Sequence, residues 1–182
     1  LGNKFLSHIR EVDAIVHVVR CFEDENVIHV DGSIDPVRDA EIINLELIFA
    51  DMDSLDKRIA KGEKQARVDK SAAGELALMQ RIRAELEKGL PARSLEYDEK
   101  EKAVLKGLFL LSSKPMIYAA NVAEDAIGAA NPYVDALAAL ADAEGAGMIL
   151  VSARVEEEIS SLEPEEKEAF LEELGLQESG LD

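Results

Sequence analysis

The sequence has little cysteine, few aromatic residues and no long hydrophobic run. Of its 182 residues one is cysteine, none is tryptophan and 4% are aromatic. The single cysteine, Cys21, excludes an internal disulfide and fits a reducing compartment, so we expect a cytoplasmic protein. No run of about 18 apolar residues occurs, and we therefore expect neither a membrane span nor a membrane partner.

A glycine loop for phosphates is also absent. None of the eleven glycines precedes a lysine, so the pattern G-x-x-x-x-G-K-[ST] does not occur. The three histidines, His8, His17 and His29, lack the spacing of metal ligands with any cysteine or carboxylate pair. We therefore expect no catalytic residue and no metal ligand in this chain, and no hydrolysis by this chain alone.

The net charge of -18 is unevenly distributed. The stretch from Lys57 to Arg93 contains ten basic and five acidic residues, whereas the last 48 residues contain two basic and 14 acidic ones. A basic protrusion on an acidic body is more informative about partners than the total charge.

The first part of the chain predicts a short helix followed by a buried strand. The run A-I-V-H-V-V from Ala14 is β-branched and continuously apolar, which is typical of a strand buried on both faces. The preceding helix has Phe5, Leu6 and Ile9 as its inward residues. A helix followed by a strand is half of a doubly wound unit, so residues 1–35 are expected to be the first part of an α/β domain that the chain completes later.

Residues 36–96 predict two helices with a narrow apolar stripe, unlike the α/β pattern before them. Asp35 is a natural cap and Pro36 a natural first residue of the first helix, and Gly89 ends the second. Apolar residues alternate at spacings of three and four in both helices, which are heptad positions: Leu45, Ile48, Met52, Leu55 and Ile59, then Met79, Ile82 and Leu86. This pattern predicts a projecting antiparallel coiled-coil hairpin with Asp51 and Asp53 on its solvent face. A pair of helices folded back on the main core is the alternative.

Residues 97–175 return to alternating helices and strands, which predicts an α/β fold with a parallel sheet and helices on both faces. Asp98 is the expected cap of the first helix and Pro164 the expected break in the last. The predicted elements are helix 97–111, strand 116–120, helix 126–143, strand 148–151 and helix 156–173.

Polar residues follow the two strands of this part. Asn121 and Glu124 come after the first strand, and Ser152 and Ala153 come after the second. Open α/β sheets bind ligands at the carboxyl ends of their strands, and an amide with a carboxylate can read the edge of a planar heterocycle. The two loops together predict a purine-base site. The alternative is that Asn121 or Asp125 only caps the following helix.

Three of these segments resemble the YchF or Obg-like ATPase family. They are the run from Ala14 to Leu47, the run K-P-M-I-Y-A-A-N-V-A-E from Lys114 to Glu124, and V-S-A-R from Val151 to Arg154. The resemblance covers essentially the whole chain. It implies an Obg-like G domain of a translation-factor-class P-loop NTPase, with the helical hairpin inserted in it.

The resemblance also implies a base-binding role. Related GTPases carry N-K-x-D where this chain has N-V-A-E, and the altered motif goes with a preference for ATP over GTP. Val122 is then expected against the adenine, and Ser152, Ala153 and Arg154 form the supporting loop. The phosphate loop and the Mg²⁺ ligands of the family are expected before Leu1. A TGS domain is expected to start at residues 176–182.

Ribosome binding is the partner that the resemblance implies, through the large subunit and its rRNA, with no DNA partner. We place an RNA contact on basic residues of the hairpin: Lys57, Arg58, Lys61, Lys64, Arg67 and Lys70. Solubilising charges on an exposed hairpin are the alternative. Two functions stay open: an ATP-hydrolysing switch linked to translation or stress, and a non-catalytic module that docks on ribosomes or proteins.

Overall fold

A computed structural model describes residues 2–24, 33–69, 72–127 and 129–173. The chain divides into two compact units, one formed by Leu1–Ile15 and Glu41–Pro115 and the other by Val16–Ala40 and Met116–Asp182. The elements in chain order are α1 (Asn3–Arg10), β1 (Ile15–Arg20), α2 (Pro36–Ala66), α3 (Ala73–Glu87), α4 (Glu99–Leu108), β2 (Met116–Asn121), α5 (Pro132–Glu144), β3 (Gly147–Val151), α6 (Ala153–Ser161) and α7 (Pro164–Glu173). The expected TGS start at residues 176–182 lies outside the described residues.

The second unit is built on a sheet of strand order β1-β2-β3. β2 and β3 are parallel, with Ile117 opposite Gly147 and Asn121 opposite Val151. At the end of β1 the Cys21 amide donates to the Asn121 carbonyl at 2.8 Å, and at its start the Ile15 amide donates to the Pro115 carbonyl at 3.0 Å. The partner number rises with the residue number, so β1 is also parallel to β2. The predicted α/β class with a parallel sheet is confirmed.

β1 is not buried on both faces as predicted. Val16 and Val18 are 56% and 60% exposed, whereas Val19 is buried. Successive side chains of a strand point to opposite faces, and the described residues leave the face of Val16 and Val18 uncovered. On the other face the His17 ring lies 5.7 Å from the Tyr118 ring. Burial lowers the pKa of His17, with Glu144 and Asp39 opposing the shift.

The helix after β2 begins later than predicted. Asn131 is its cap, accepting from the Tyr133 amide at 2.9 Å and the Val134 amide at 3.4 Å, and Pro132 is its first residue. A single 3-10 turn, Glu124–Ala126, occupies the predicted start. Neither Asn121 nor Asp125 caps the helix that follows β2. The predicted break in the last helix is present, between α6 and α7.

The first unit contains the two predicted helices of the hairpin. The position of a Cβ on Gly62 lies 3.3 Å from the Met79 side chain, and Asp56 accepts from Arg83 at 2.7 Å. Because later residues of α2 contact earlier residues of α3, the helices are antiparallel. Their shared core also contains residues around α4, and its buried members are Ile48, Leu55, Leu78, Met79, Ile82, Leu86, Ala92, Leu108 and Leu110. The coiled-coil geometry and the projection of the hairpin stay predictions.

Two residues predicted to face inward are exposed, namely Phe5 in α1 and Leu45 in α2. In α2 the buried stripe of this core begins at Ile48. A straight helix drifts by about 20° per heptad relative to a strict heptad repeat, so a stripe cannot bury all of its members along a helix of this length.

Asp51 is the clearest departure from the sequence prediction, because it is buried rather than on a solvent face. Its side chain is 0% exposed and its carboxylate accepts from the Leu111 amide at 2.8 Å, the Ser112 amide at 2.7 Å and the Ser112 hydroxyl at 2.7 Å. Arg10 Nη1 lies 3.4 Å away. Burial raises the pKa of the Asp51 carboxyl, and the hydrogen bonds from Leu111 and Ser112 and the Arg10 charge oppose that shift. The carboxylate supplies acceptors to amides that follow the end of α4.

Asp51→Ala should strongly destabilise the protein, because two amides and a hydroxyl lose their buried acceptor. An unpaired buried donor costs about 1–3 kcal/mol, so we expect the free energy of unfolding to fall by about 3 kcal/mol or more. Urea unfolding followed by circular dichroism measures the change. Asp53→Ala is the matched control, since Asp53 is exposed and its pair with Lys57 is a surface pair worth about 1 kcal/mol or less. Equal losses in the two variants would contradict this role of Asp51.

Candidate functional site

The ends of β2 and β3 coincide at one edge of the sheet. Asn121, the last residue of β2, is directly opposite Val151, the last residue of β3. The Val122 amide donates to the Val151 carbonyl at 2.9 Å, which continues the pairing one residue beyond β2. The loops that start at Val122 and Ser152 therefore leave the sheet side by side.

A side-chain hydrogen bond joins these two loops. Asn121 Oδ1 accepts from the Ala153 amide at 2.9 Å. Ala153 is the first residue of α6, where backbone amides have no acceptor within the helix. Asn121 thus fills the role of a helix cap from a neighbouring strand. Its oxygen is used in this bond, so its NH₂ group is the part that can serve a ligand as a donor.

Glu124 and Arg154 face each other across the two loops. Arg154 Nε lies 3.8 Å from a Glu124 carboxylate oxygen and 3.4 Å from a Glu158 carboxylate oxygen. Arg154 is well exposed, so these contacts have little energy in water. The Glu124 carboxylate, which can only accept hydrogen bonds, therefore lies at the rim of the two loops.

Two of the predicted site residues are buried and therefore offer little surface to a ligand. Val122 is only 2% exposed and Ser152 is also buried. The Ser152 hydroxyl has no hydrogen-bond partner in the part of the chain that the structure describes. Val122 still borders the cavity described below, whereas Ser152 does not.

A third loop, which follows the end of β1, also lies at this edge of the sheet, and the sequence patterns did not predict it. Arg20 donates to the Phe22 carbonyl at 3.0 Å and to the Asp24 carbonyl at 3.2 Å, and its guanidinium lies 4.9 Å from the centre of the Phe22 ring. Tyr133 donates to a Glu23 carboxylate oxygen at 2.6 Å, and this hydrogen bond raises the pKa of Tyr133. The rule that ligands bind at strand ends, applied to β1, would have found this loop.

These three loops enclose an open cavity of about 670 Å³. Such a volume is in the range of small-molecule sites. The lining residues are Phe22, Glu23, Asp24, Asn121, Val122, Ala123, Glu124, Asp125, Ala153 and Arg154. An aromatic ring, an amide donor and carboxylate acceptors therefore converge on one cavity in the second unit.

Cys21, beside this cavity, does not contribute a nucleophile. The side chain is buried, and burial raises the pKa of the thiol to about 11. The thiol is therefore protonated at neutral pH. Its backbone instead anchors this loop, because the Cys21 carbonyl accepts from the Asn131 amide group at 2.9 Å.

The predicted RNA-binding residues lie on α2 and just after it. Lys57, Arg58, Lys61, Lys64 and Arg67 are all exposed. Lys57 pairs with Asp53 at 2.6 Å, and Arg58 donates to the Gly107 carbonyl at 3.5 Å. Lys70 lies outside the described residues.

Among residues 2–24, 33–69, 72–127 and 129–173, no group of three or more His, Cys, Asp or Glu side chains could hold a metal ion. We assign no ligand here to the Mg²⁺ that the family resemblance implies. No described helix has the length and apolarity needed to cross a membrane.

Comparisons with known proteins find relatives along the whole chain. The Ribosome-binding ATPase YchF of Bacillus subtilis is 51% identical over 185 residues, and that of Escherichia coli O157:H7 is 44% identical over 182 residues. The structure of the Schizosaccharomyces pombe YchF GTPase matches with a TM-score of 0.88 at 32% identity. Each match covers 100% of this chain and 50% of the other protein. The chain thus spans about half the length of these relatives. No family model matches it.

Asn121→Asp separates the two tasks of Asn121. The carboxylate still accepts from the Ala153 amide, so stability should change little, but the NH₂ donor is lost. A lost hydrogen bond to a ligand costs about 1.4 kcal/mol or more, and we expect nucleotide affinity of the full-length protein to fall tenfold or more. Isothermal titration calorimetry and thermal unfolding measure the two effects.

Asn121→Ala is the comparison variant, because it removes both the acceptor and the donor. It should lose stability as well as affinity. If Asn121→Asp binds nucleotide as tightly as the unchanged protein, the NH₂ group does not contact the ligand.

Proposed function

This chain belongs to the YchF family, and we propose that it is the base-binding half of a ribosome-associated protein that binds and hydrolyses ATP in preference to GTP. The observation that carries the proposal is the Asn121–Ala153 hydrogen bond of 2.9 Å, which joins two strand-end loops at the edge of the cavity. The reaction and the partner are proposed from the names of the relatives, and the cavity is the proposed binding site of the base.

The base is held by three kinds of contact. The Phe22 ring offers a flat apolar face, the Asn121 NH₂ group offers a donor, and the Glu124 carboxylate offers an acceptor. Val122 borders the cavity with 2% of its surface exposed, so it supports the base through packing rather than as a large contact face. Ala153 and Arg154 complete the supporting loop, with Ser152 buried behind them.

The preference for ATP follows from the chemistry of the purine edges. Adenine has an amino donor at position 6, whereas guanine has a carbonyl acceptor there. A carboxylate is an acceptor only. With Glu124 facing position 6, the carboxylate attracts adenine and repels guanine. Related GTPases use a shorter aspartate to read other donors of guanine.

The ribosome contact is proposed on the basic residues of α2. Lys61 and Lys64 are exposed and lie one helical turn apart, and Arg67 follows them. Lysine and arginine displace counterions from RNA phosphates, so binding by this surface should weaken with salt. Lys57 and Arg58 are proposed as weaker contributors because each has a partner within the unit. The large-subunit rRNA is the proposed target.

A docking module without relevant turnover is the second candidate function. It is favoured by the acidic lining of the cavity and by the lack of phosphate-binding residues within the described part of this chain. In that case nucleotide would bind for structural reasons and the basic helix would be the functional surface. ATP turnover of the full-length protein with and without ribosomes separates the two candidates.

Glu124→Ala should reduce the discrimination between ATP and GTP. The variant loses the attraction to the adenine amino group and the repulsion of the guanine carbonyl, and we expect the ratio of ATP to GTP affinity to fall roughly tenfold. Glu158→Ala is the matched control, because Glu158 also contacts Arg154 but does not border the cavity. An unchanged ratio in the Glu124 variant would show that Glu124 does not read the base.

Reversing Lys61 and Lys64 to glutamate should lower the fraction of full-length protein that pellets with ribosomes. We expect a severalfold loss at low salt, because two phosphate contacts become repulsions. ATP turnover, measured in the same mixtures, should keep its basal rate, and any increase that ribosomes cause in the unchanged protein should be lost. Reversal of Lys4 and Lys88 is the control, since both are exposed and the change in net charge is the same.

Equal pelleting of both double variants would remove the ribosome contact from α2. Turnover no greater than background in the unchanged protein, with or without ribosomes, would leave only the docking module.

A further inference from the structure

Phe109 has a backbone conformation that a bulky residue rarely adopts. Its φ is 54° and its ψ is 41°, which is the left-handed region, and it is the one non-glycine residue with positive φ among those described. It directly follows α4, at a position where glycine is the usual residue because glycine has no Cβ to clash. For a phenylalanine this conformation is a true outlier.

Charged side chains fix the backbone on both sides of Phe109. Arg10 Nη1 donates to the Phe109 carbonyl at 2.9 Å, and Asp51 accepts from the amides of Leu111 and Ser112. The neighbours Leu108 and Leu110 are both buried in the core of the first unit. The fold therefore imposes the left-handed turn whatever side chain stands at position 109.

Packing does not explain why that side chain is phenylalanine. The Phe109 ring is 55% exposed. A glycine would satisfy the same backbone without strain, so the ring costs stability that burial does not return. Strain of this kind is concentrated at functional sites, and the observed outlier is the starting point for a functional hypothesis.

Two lysines of α4 border the same cavity as Phe109. Lys102 and Lys106 are four residues apart and therefore lie on one side of the helix, and Phe109 follows the helix end. All three border a cavity of about 270 Å³ in the first unit. Lys102 has an exposed pair with Glu99 at 2.6 Å, and Lys106 has no partner within the described part of the chain.

The other cations of this cavity already have hydrogen-bond partners, and the cavity has two acidic residues. Arg10 and Lys114 donate to backbone carbonyls, and the acidic residues are Glu11 and Asp13. Lys102 and Lys106 are thus the two cations of this cavity that are available to bind a partner. An exposed aromatic ring beside exposed cations is the combination that binds single-stranded nucleic acid, through base stacking and phosphate contacts.

We propose that Phe109, Lys102 and Lys106 form a contact site for single-stranded RNA, with a base stacked on the Phe109 ring and phosphates on the two lysines. The choice of RNA rests on the proposed association with ribosomes. The site does not include the basic residues of α2, although Arg58 of α2 donates to the nearby Gly107 carbonyl at 3.5 Å.

Phe109→Gly is the decisive variant, because a structural role and a binding role predict opposite results. Relief of the left-handed strain should leave the Tm of the full-length protein unchanged or higher. Loss of the stacked base should lower affinity for a fluorescently labelled, unstructured 12-nucleotide RNA roughly tenfold, measured by anisotropy. Phe109→Tyr should keep the affinity. Phe49→Ala is the control, since Phe49 is exposed on α2 and does not border this cavity.

Lys102→Gln with Lys106→Gln should reduce the dependence of RNA affinity on salt, with the log–log slope falling by roughly two. Unchanged RNA affinity in Phe109→Gly would overturn the proposal. Lost ribosome pelleting with unchanged RNA affinity would also overturn it and indicate a protein partner at this site. RNA binding that depends on Phe109 in a protein that does not pellet with ribosomes would support this site while contradicting the proposed function.

Discussion

Backbone amides that lie at the ends of helices and strands need acceptors, and aspartate and asparagine side chains supply them throughout this protein. Asp51 accepts from the amides of Leu111 and Ser112, and Asn121 accepts from the amide of Ala153. Asn131 caps α5 and Asp98 caps α4. Because an unpaired buried amide costs about 1–3 kcal/mol, the places where these acceptors lie determine which turns the chain can make.

The same constraint shapes the candidate site. Asn121 satisfies the first amide of α6, and in doing so it fixes which end of its side chain is left for a ligand. An acceptor that was free would allow Asn121 to read either a donor or an acceptor on a base. With Oδ1 accepting from Ala153, the side chain is held in one orientation, and its NH₂ group is the donor that it presents. A structural requirement of the helix thus orients the amide group that the site offers.

The distance in sequence between an amide and its acceptor separates what could be predicted from what could not. Asp98 and Asp35 bind amides three residues ahead, and the sequence predicts both caps. Asp51 binds an amide 60 residues later, so heptad spacing alone wrongly placed it in solvent. The parallel sheet and its strand-end loops follow from apolar runs. The cap at Asn131 is also local, because Asn131 binds amides two and three residues ahead and precedes Pro132, so the sequence contains the signal that was not used. The loop at Phe22 could not be assigned to the site without the strand order. The exposure of Val16 could not be predicted because it depends on what covers that face of the sheet.

If the cavity binds a nucleotide as proposed, its charge indicates which end of the nucleotide it binds. Its lining includes four carboxylates, at Glu23, Asp24, Glu124 and Asp125, and one cation, Arg154, whose guanidinium already lies near two carboxylates. Phosphates would be repelled by such a surface, whereas amino and hydroxyl donors of a nucleoside would be attracted. The cavity therefore suits the base and sugar, and the phosphates must extend away from it. This division by charge is independent of any sequence motif, and it agrees with the lack of a glycine-lysine phosphate loop in the sequence.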